Sequence, residues 1–171
     1  ILRQDPRWQD CTLDLIHRLD RATSGIILIS KNCLVKRQLS EQFTDRTIEK
    51  QYIALLVGHV APTTQELEHH LLTTNDFKVI CDPDGKLAIT TIVEQQHLLD
   101  KNNQPVTKVL LSPKTGRKHQ LRVQCQAIGH PIVGDPLYGT AGKMLFLHAQ
   151  QICYTDPSNA VRKTLIAPLP E

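Results

Sequence analysis

The chain has 171 residues, of which 40% are hydrophobic and 22% charged, and a formal net charge of +3. That length supports one compact domain with a real core and is too short for two comfortable ones. The composition is that of an ordinary globular protein, and no apolar run approaches the roughly 20 residues that span a bilayer. So small a net charge does not by itself name a nucleic-acid partner, but Lys114, Arg117, Lys118, His119 and Arg122 gather positive charge in one short stretch. Five cysteines with no CxxC pair argue against a disulfide framework or a structural zinc site. They fit free thiols in a reducing compartment, so the expected location is cytoplasmic. The N-terminus lacks the charged-then-apolar pattern of a signal peptide. Because the chain begins at Ile1 and not Met, some upstream sequence is expected to be missing.

Residues 1–11 read as an irregular leading segment, and residues 12–18 alternate like a strand. They run into His17-Arg18-Leu19-Asp20-Arg21-Ala22-Thr23-Ser24-Gly25, which sets one carboxylate between two guanidinium groups and closes on small residues. The apolar run that follows predicts a buried strand over 25–30. Asp20 then stands on a short connection at the mouth of a core strand, a rigid place from which to aim a functional group. An Asp and a Ser near Gly are also ordinary turn chemistry, so the stretch alone decides nothing. Asn32 is a good helix N-cap, and Val35, Leu39 and Phe43 give one apolar stripe to about Asp45. Residues 50–60 predict a long strand, rich in the apolar and aromatic side chains that strands favour.

Short strands are expected near 66–71, 77–81 and 88–95, with turns at 82–85 and 101–104, and another strand over 106–112. In the helix that follows, Leu121, Cys125 and Ile128 share one face, with Thr115 expected near the N-cap and Gly129 as the stop. His119 and Arg122, three apart, project from the same side. Residues 130–139 are dense in Gly and Pro and predict an ordered loop, 144–154 a strand, and the remainder an irregular Pro-rich tail. Strands separated by turns, with two convincing helices, indicate an α+β domain over 1–171. Its mixed, largely antiparallel sheet is expected to be split around a central cleft.

Four separated stretches together resemble the RluA-type family of RNA pseudouridine synthases. They are His17–Gly25, Lys50-Gln51-Tyr52-Ile53-Ala54 with Gly58, Thr115–Gly139, and Leu145-Phe146-Leu147-His148-Ala149. They occur in the family's order and cover most of the chain. Phe43 through His59 and the Ala-Thr-Ser-Gly ending are most similar to the branch acting on both transfer RNA and large-subunit ribosomal RNA. The resemblance implies isomerisation of uridine to pseudouridine in structured RNA, with no cofactor and no metal. Asp20 would be the nucleophile, attacking either uracil carbon-6 or the anomeric carbon. A carboxylate in a closed pocket is costly unless paired, and the resemblance assigns that pairing to Arg122.

The target base must leave its stack, at a cost of a few kcal/mol, and Arg18 is the residue that would fill or hold the vacated space. Tyr52 would stack on the flipped uracil and is a candidate for handling the proton lost from carbon-5. Leu147 would line the apolar wall, and Arg117, Lys118 and His119 would bind RNA phosphates. The bland alternatives are a Tyr52 packed only as core, an Arg122 paired with Asp135, and a structural His148 beneath the site. Asp135 is expected to organise its loop, and the pair His69-His70 to lie on the surface.

The chain departs from the family pattern at Gln124, where His is usual and a peripheral contact is put in doubt. It departs again at Leu87, where Pro is common; because many members also carry a small N-terminal RNA-binding domain, the chain is expected to be either a naturally short member or a catalytic fragment. The expected partner is ribosomal RNA, transfer RNA or both, met by a monomer without a membrane. Two rival readings are a non-catalytic RNA-binding module on the same scaffold and a metal-dependent RNA hydrolase built on Asp20, His119 and Asp135.

Overall fold

A computed structural model describes residues 5, 8, 11–63 and 65–170. Expectations for residues 1–4, 6–7, 9–10, 64 and 171 lie outside the described residues. In chain order the elements are β1 (Asp14–Leu15), β2 (Ser24–Gly25), β3 (Ile29–Ser30), α1 (Cys33–Thr44), β4 (Glu49–Val57), β5 (Glu66–Thr73) and β6 (Val79–Cys81). There follow β7 (Lys86–Leu99), β8 (Pro105–Pro113), α2 (Gln120–Ala127), β9 (Leu147–Thr155) and β10 (Arg162–Ile166). The main sheet runs β10-β9-β4-β8-β7-β5-β6, every neighbouring pair antiparallel, while β2 joins β9 in parallel. This is the mixed, largely antiparallel α+β architecture that the alternation of strands and turns implied.

Alternation along β4 explains which face of the sheet is covered. Ala54 and Leu56 point into a core shared with Leu67, Ile92, Val109 and Leu111 of neighbouring strands. Leu121 and Cys125 of α2 close that core from above, with Ile132, Leu145 and Leu147 at its margin. Burying such side chains contributes about 1.5–3 kcal/mol each, so α2 is held on the sheet by its apolar stripe despite its eight residues. A second hydrophobic group, Leu28, Ile48 and Ile152 with Phe43 of α1, holds the N-terminal segments against the sheet's other end.

Three expectations about elements need correction. The strands expected over 12–18 and 25–30 shrink to a two-stranded ribbon, β1 with β3, and the brief β2. The cause is a change of partner at Gly25, whose φ of +108° turns the chain and whose Cα side is so close to Ala149 that a Cβ would sit 2.2 Å from its carbonyl oxygen. After that turn Ile27 is exposed and only Leu28 of the apolar run is buried among the core aliphatics. Thr115 does not cap α2; the capping position is His119, at a left-handed φ of 52° and without a side-chain cap. The tail is not irregular throughout, because β10 pairs with β9 over Arg162–Ile166.

Other local expectations hold. Asn32 caps α1 by accepting from the Val35 N–H (2.8 Å), and Gly129, at φ +82°, follows the end of α2. Turns form where Gly85 N–H meets Asp82 O and where Asn103 N–H meets Asp100 O. His70 is on the surface, but His69 is half-buried, and its Nδ1 is enclosed without a hydrogen-bond partner.

Candidate active site

The cleft lies between the Asp20 connection and the start of α2, with β4 and β9 forming its floor. It has a volume of about 890 Å³, and its walls include Arg18, Asp20, Tyr52, Arg117, Lys118, His119, Arg122 and Leu147. Stretches as far apart in sequence as Arg18 and Leu147 thus converge, because β4 and β9 are adjacent strands and α2 packs over them.

Arg122 is the centre of the charge arrangement. Its Nε and Nη2 donate to both oxygens of Asp135, at 2.8 and 2.7 Å. Its Nη1 faces Asp20 Oδ2 at 3.5 Å. One guanidinium therefore serves two carboxylates, and the two pairings read from the sequence as alternatives coexist. Asp135 is 0% exposed and also accepts from the Leu137 and Tyr138 N–H groups, so it organises its loop as expected. Burial alone would raise the Asp135 pKa, but the Arg122 bonds and these backbone donors hold it below the usual carboxylate range. Burial would likewise lower the Arg122 pKa, and the Asp135 bonds with the Asp20 charge raise it instead. The cation is thereby fixed beside Asp20 across the working pH range.

Asp20 itself sits on a connection closed by a Thr23 N–H to Asp20 O bond of 2.9 Å. Before it, His17 Nε2 accepts from the Leu28 N–H (3.0 Å), which ties the connection to the apolar run behind. Behind it, Ser24 Oγ and His148 Nδ1 are 2.8 Å apart, giving His148 the structural place expected of it.

Tyr52 lines the cleft from the floor while packing against the core. Burial, together with the nearby Asp20 charge, pushes its pKa up to about 12. At neutral pH it is a phenol, which suits stacking and counts against its acting as a resting-state base for the carbon-5 proton. A register shift between Gln51 and Tyr52 in the β4–β9 ladder lies at this point, a bulge of the sort that re-aims side chains beside active sites.

The basic stretch is less uniform than its sequence. Lys118 Nζ donates to Phe77 O (2.7 Å) and Arg117 Nε to Leu87 O (3.0 Å), with Lys118 exposed and Arg117 half-buried at the rim. His119 turns inward, its Nδ1 2.8 Å from the Tyr138 hydroxyl. Burial lowers its pKa, outweighing the raising effect of Asp20, so a charged phosphate clamp is a weaker role for it than for its neighbours. Its left-handed backbone is an outlier of the type that clusters at functional sites.

Sequence reasoning missed the framework beneath α2. Thr115 Oγ1 donates to Gln120 Oε1 (2.7 Å), Gln120 Nε2 donates to Thr90 Oγ1 (2.9 Å), and Thr90 Oγ1 donates to Gln124 Oε1 (2.6 Å). Gln124 Nε2 then donates to Leu67 O and Ala88 O, at 2.9 and 3.0 Å. Gln124 is wholly buried, so the departure there affects the helix anchorage and not a peripheral contact. Lys50 also lines the cleft unannounced; its place two residues before Tyr52 on a strand was the signal that could have found it. Among the described residues no group of three or more His, Cys, Asp or Glu could hold a metal ion.

In sequence and in fold the chain is similar to known proteins. Residues 2–127 match the family model described as RNA pseudouridylate synthase. The dual-specificity RNA pseudouridine synthase RluA of Yersinia pestis is 38% identical over 154 residues, covering 85% of this chain and 73% of that protein. The ribosomal large subunit pseudouridine synthase C of Vibrio cholerae is 37% identical over 168 residues, covering 92% of this chain and 52% of that protein. The structure of human RNA pseudouridylate synthase domain containing 1 superposes with a TM-score of 0.85 at 30% identity, over 99% of this chain and 72% of that one.

Proposed function

The chain belongs to the RNA pseudouridylate synthase family and carries the fold of its catalytic domain, and on that premise we propose that it converts uridine to pseudouridine in structured RNA with Asp20 as nucleophile. One observation carries the assignment. Asp20 is the sole carboxylate lining the cleft among the described residues, it faces Arg122 at 3.5 Å, and the other charged lining groups are cations: Arg18, Arg21, Lys50, Arg117, Lys118 and Arg122. Such a cleft draws in a polyanion and presents one carboxylate nucleophile to it.

In this reading Asp20 attacks uracil carbon-6 or the anomeric carbon, the bond from ribose to nitrogen-1 breaks, the sugar rejoins at carbon-5, and the bond to Asp20 breaks to free the carboxylate. The carbon-5 proton leaves and nitrogen-1 gains one, so the reaction is an isomerisation without net redox change. Tyr52 stacks on the extruded base, a contact worth about 1–3 kcal/mol. Leu147 gives the base an apolar wall, Arg18 occupies the space the base vacates, and Arg117 and Lys118 meet phosphates at the rim, with His119 turned inward behind them. The proposed substrate is ribosomal RNA, transfer RNA or both, handled by a monomer in the cytoplasm. All five cysteines are free thiols, in keeping with that compartment, and no helix among the described residues is long and apolar enough to cross a membrane.

The test uses transfer RNA and large-subunit ribosomal RNA transcribed without modifications, incubated with the protein and EDTA. Chemical tagging and primer extension should reveal one or a few pseudouridines that Asp20→Asn does not make. Tight binding with no pseudouridine would leave the non-catalytic RNA-binding module, and RNA cleavage abolished by EDTA would point to the hydrolase.

A further inference from the structure

Lys50 stands apart from the cations already assigned. It lies on the floor strand β4, two residues before Tyr52, and is half-buried. Its ammonium is 5.9 Å from the centroid of the Phe43 ring, and a Cβ built on Gly116 would approach it to 3.9 Å. It is therefore placed between helix α1 on one side and the turn that precedes α2 on the other. Among the described residues it makes no ion pair, whereas Lys36, Lys114 and Lys163 each meet a carboxylate. Arg122, the other buried cation of the cleft, meets two. Removing an ammonium from water without an opposite charge is unfavourable, and burial holds the Lys50 pKa below the ordinary lysine value. The nearby His17 offers no opposite charge, its pKa being lowered by burial and then by Lys50 itself.

An unpaired, partly desolvated cation inside a substrate cleft is most simply explained by an anion that arrives with the substrate. We propose that Lys50 is a substrate-binding residue whose ammonium, waiting between Phe43 and Gly116, takes a backbone phosphate next to the nucleotide that enters the cleft. The inference rests on the RNA-modifying reading above and adds to it a contact inside the cleft, distinct from the rim cations Arg117 and Lys118. The bound phosphate replaces the hydration the lysine lost on folding, and it fixes the sugar of the extruded nucleotide over Asp20. Glycine at 116 leaves the room above the ammonium that a phosphate oxygen needs, since nothing but Lys50 Nζ lies within 4 Å of a Cβ built there.

The experiment compares Lys50→Met, which keeps the apolar stem, with Lys50→Arg, both in the full chain. The RNA is the transcript that the wild-type protein marks with pseudouridine, or an unmodified transfer RNA transcript if it marks none. Binding is measured in the Asp20→Asn background as a function of salt. Lys50→Met should weaken affinity about tenfold or more and reduce the slope of log affinity against log salt by about 0.7 to 1. Its melting temperature should be unchanged or higher, because an uncompensated charge has been removed, and Lys50→Arg should regain affinity and slope. Unchanged slope and affinity would overturn the proposal, as would a lower melting temperature at unchanged slope, which marks a purely structural lysine. Wild-type protein that modifies RNA while Lys50→Met binds normally would sink this inference alone. Wild-type protein that modifies nothing while Lys50→Met loses slope would sink the isomerase reading and leave the phosphate contact standing.

Discussion

The two walls of the cleft are built differently. The α2 wall is anchored by a continuous hydrogen-bonded chain from Thr115 through Gln120 and Thr90 to Gln124, and by the two-pronged Arg122–Asp135 pair. The Asp20 wall is a connection fastened by its own turn bond, by His17 accepting from Leu28, by the Ser24–His148 contact and by the two-residue pairing of β2 with β9. Buried, fully satisfied polar networks fix a unique geometry, whereas short connections with few bonds open at low cost. The contrast is between a guanidinium held rigidly on the α2 wall and a carboxylate carried on a more lightly fastened connection.

The largest expected effect separates chemistry from architecture. Asp20→Asn should reduce single-turnover pseudouridine formation by about 10³-fold or more, the scale typical of losing a nucleophile. Its denaturation midpoint should stay close to wild type, because Asp20 is tied to the fold by little. Substantial residual turnover would remove Asp20 from its role.

Asp135→Ala tests the other wall. It leaves the Arg122 guanidinium buried with only a 3.5 Å contact to Asp20, and removing one partner of a buried pair costs about 3–5 kcal/mol. Urea denaturation should show that loss together with weakened catalysis; a midpoint within experimental scatter would mean that the pair does not anchor the wall. Gln124→Leu should cost less, about 1–3 kcal/mol, by orphaning Thr90 and the carbonyls of Leu67 and Ala88. If it instead stabilised the protein, the network would be dispensable.

The smallest effects are those of pH, and they also divide by wall. The Asp135 pKa is lower in the folded chain than the unfolded value of about 3.9. Its contribution is complete above that value and is lost as pH falls through the folded one. The His17 pKa is lowered by burial, then by Lys50, so protonation favours the unfolded chain, and stability declines as pH drops below about 6.5. Stability measured from pH 7 to 5 should therefore fall slightly in wild type and fall less in His17→Gln. Asp135→Asn should flatten the profile only in the more acid range. Equal slopes for wild type and His17→Gln between pH 7 and 5 would contradict the assignment of His17 as a buried neutral acceptor.

Local chemistry made much of the molecule legible. Asn32 and Gly129 marked helix ends because caps are set by the residues themselves, and the Asp82–Gly85 turn was readable for the same reason. The convergence of Asp20, Tyr52, Arg122 and Leu147 was legible through the resemblance of four stretches, not through periodicity. The break at Gly25 was not, since it depends on how near Ala149 comes from a strand more than a hundred residues later.

By itself the sequence determined the α+β class, the main strands and helices, the family, and the residue types that reach the cleft. Patterning, caps and motifs are properties of neighbouring residues, and they survive without knowledge of the fold. Only the tertiary structure decided that Arg122 serves Asp20 and Asp135 together, that Gln124 is buried in an anchoring network, that β10 completes the sheet edge, and that Lys50 makes no ion pair among the described residues. Each of these rests on distances across the fold, because charge pairing, desolvation and strand addition are set by which distant segments meet.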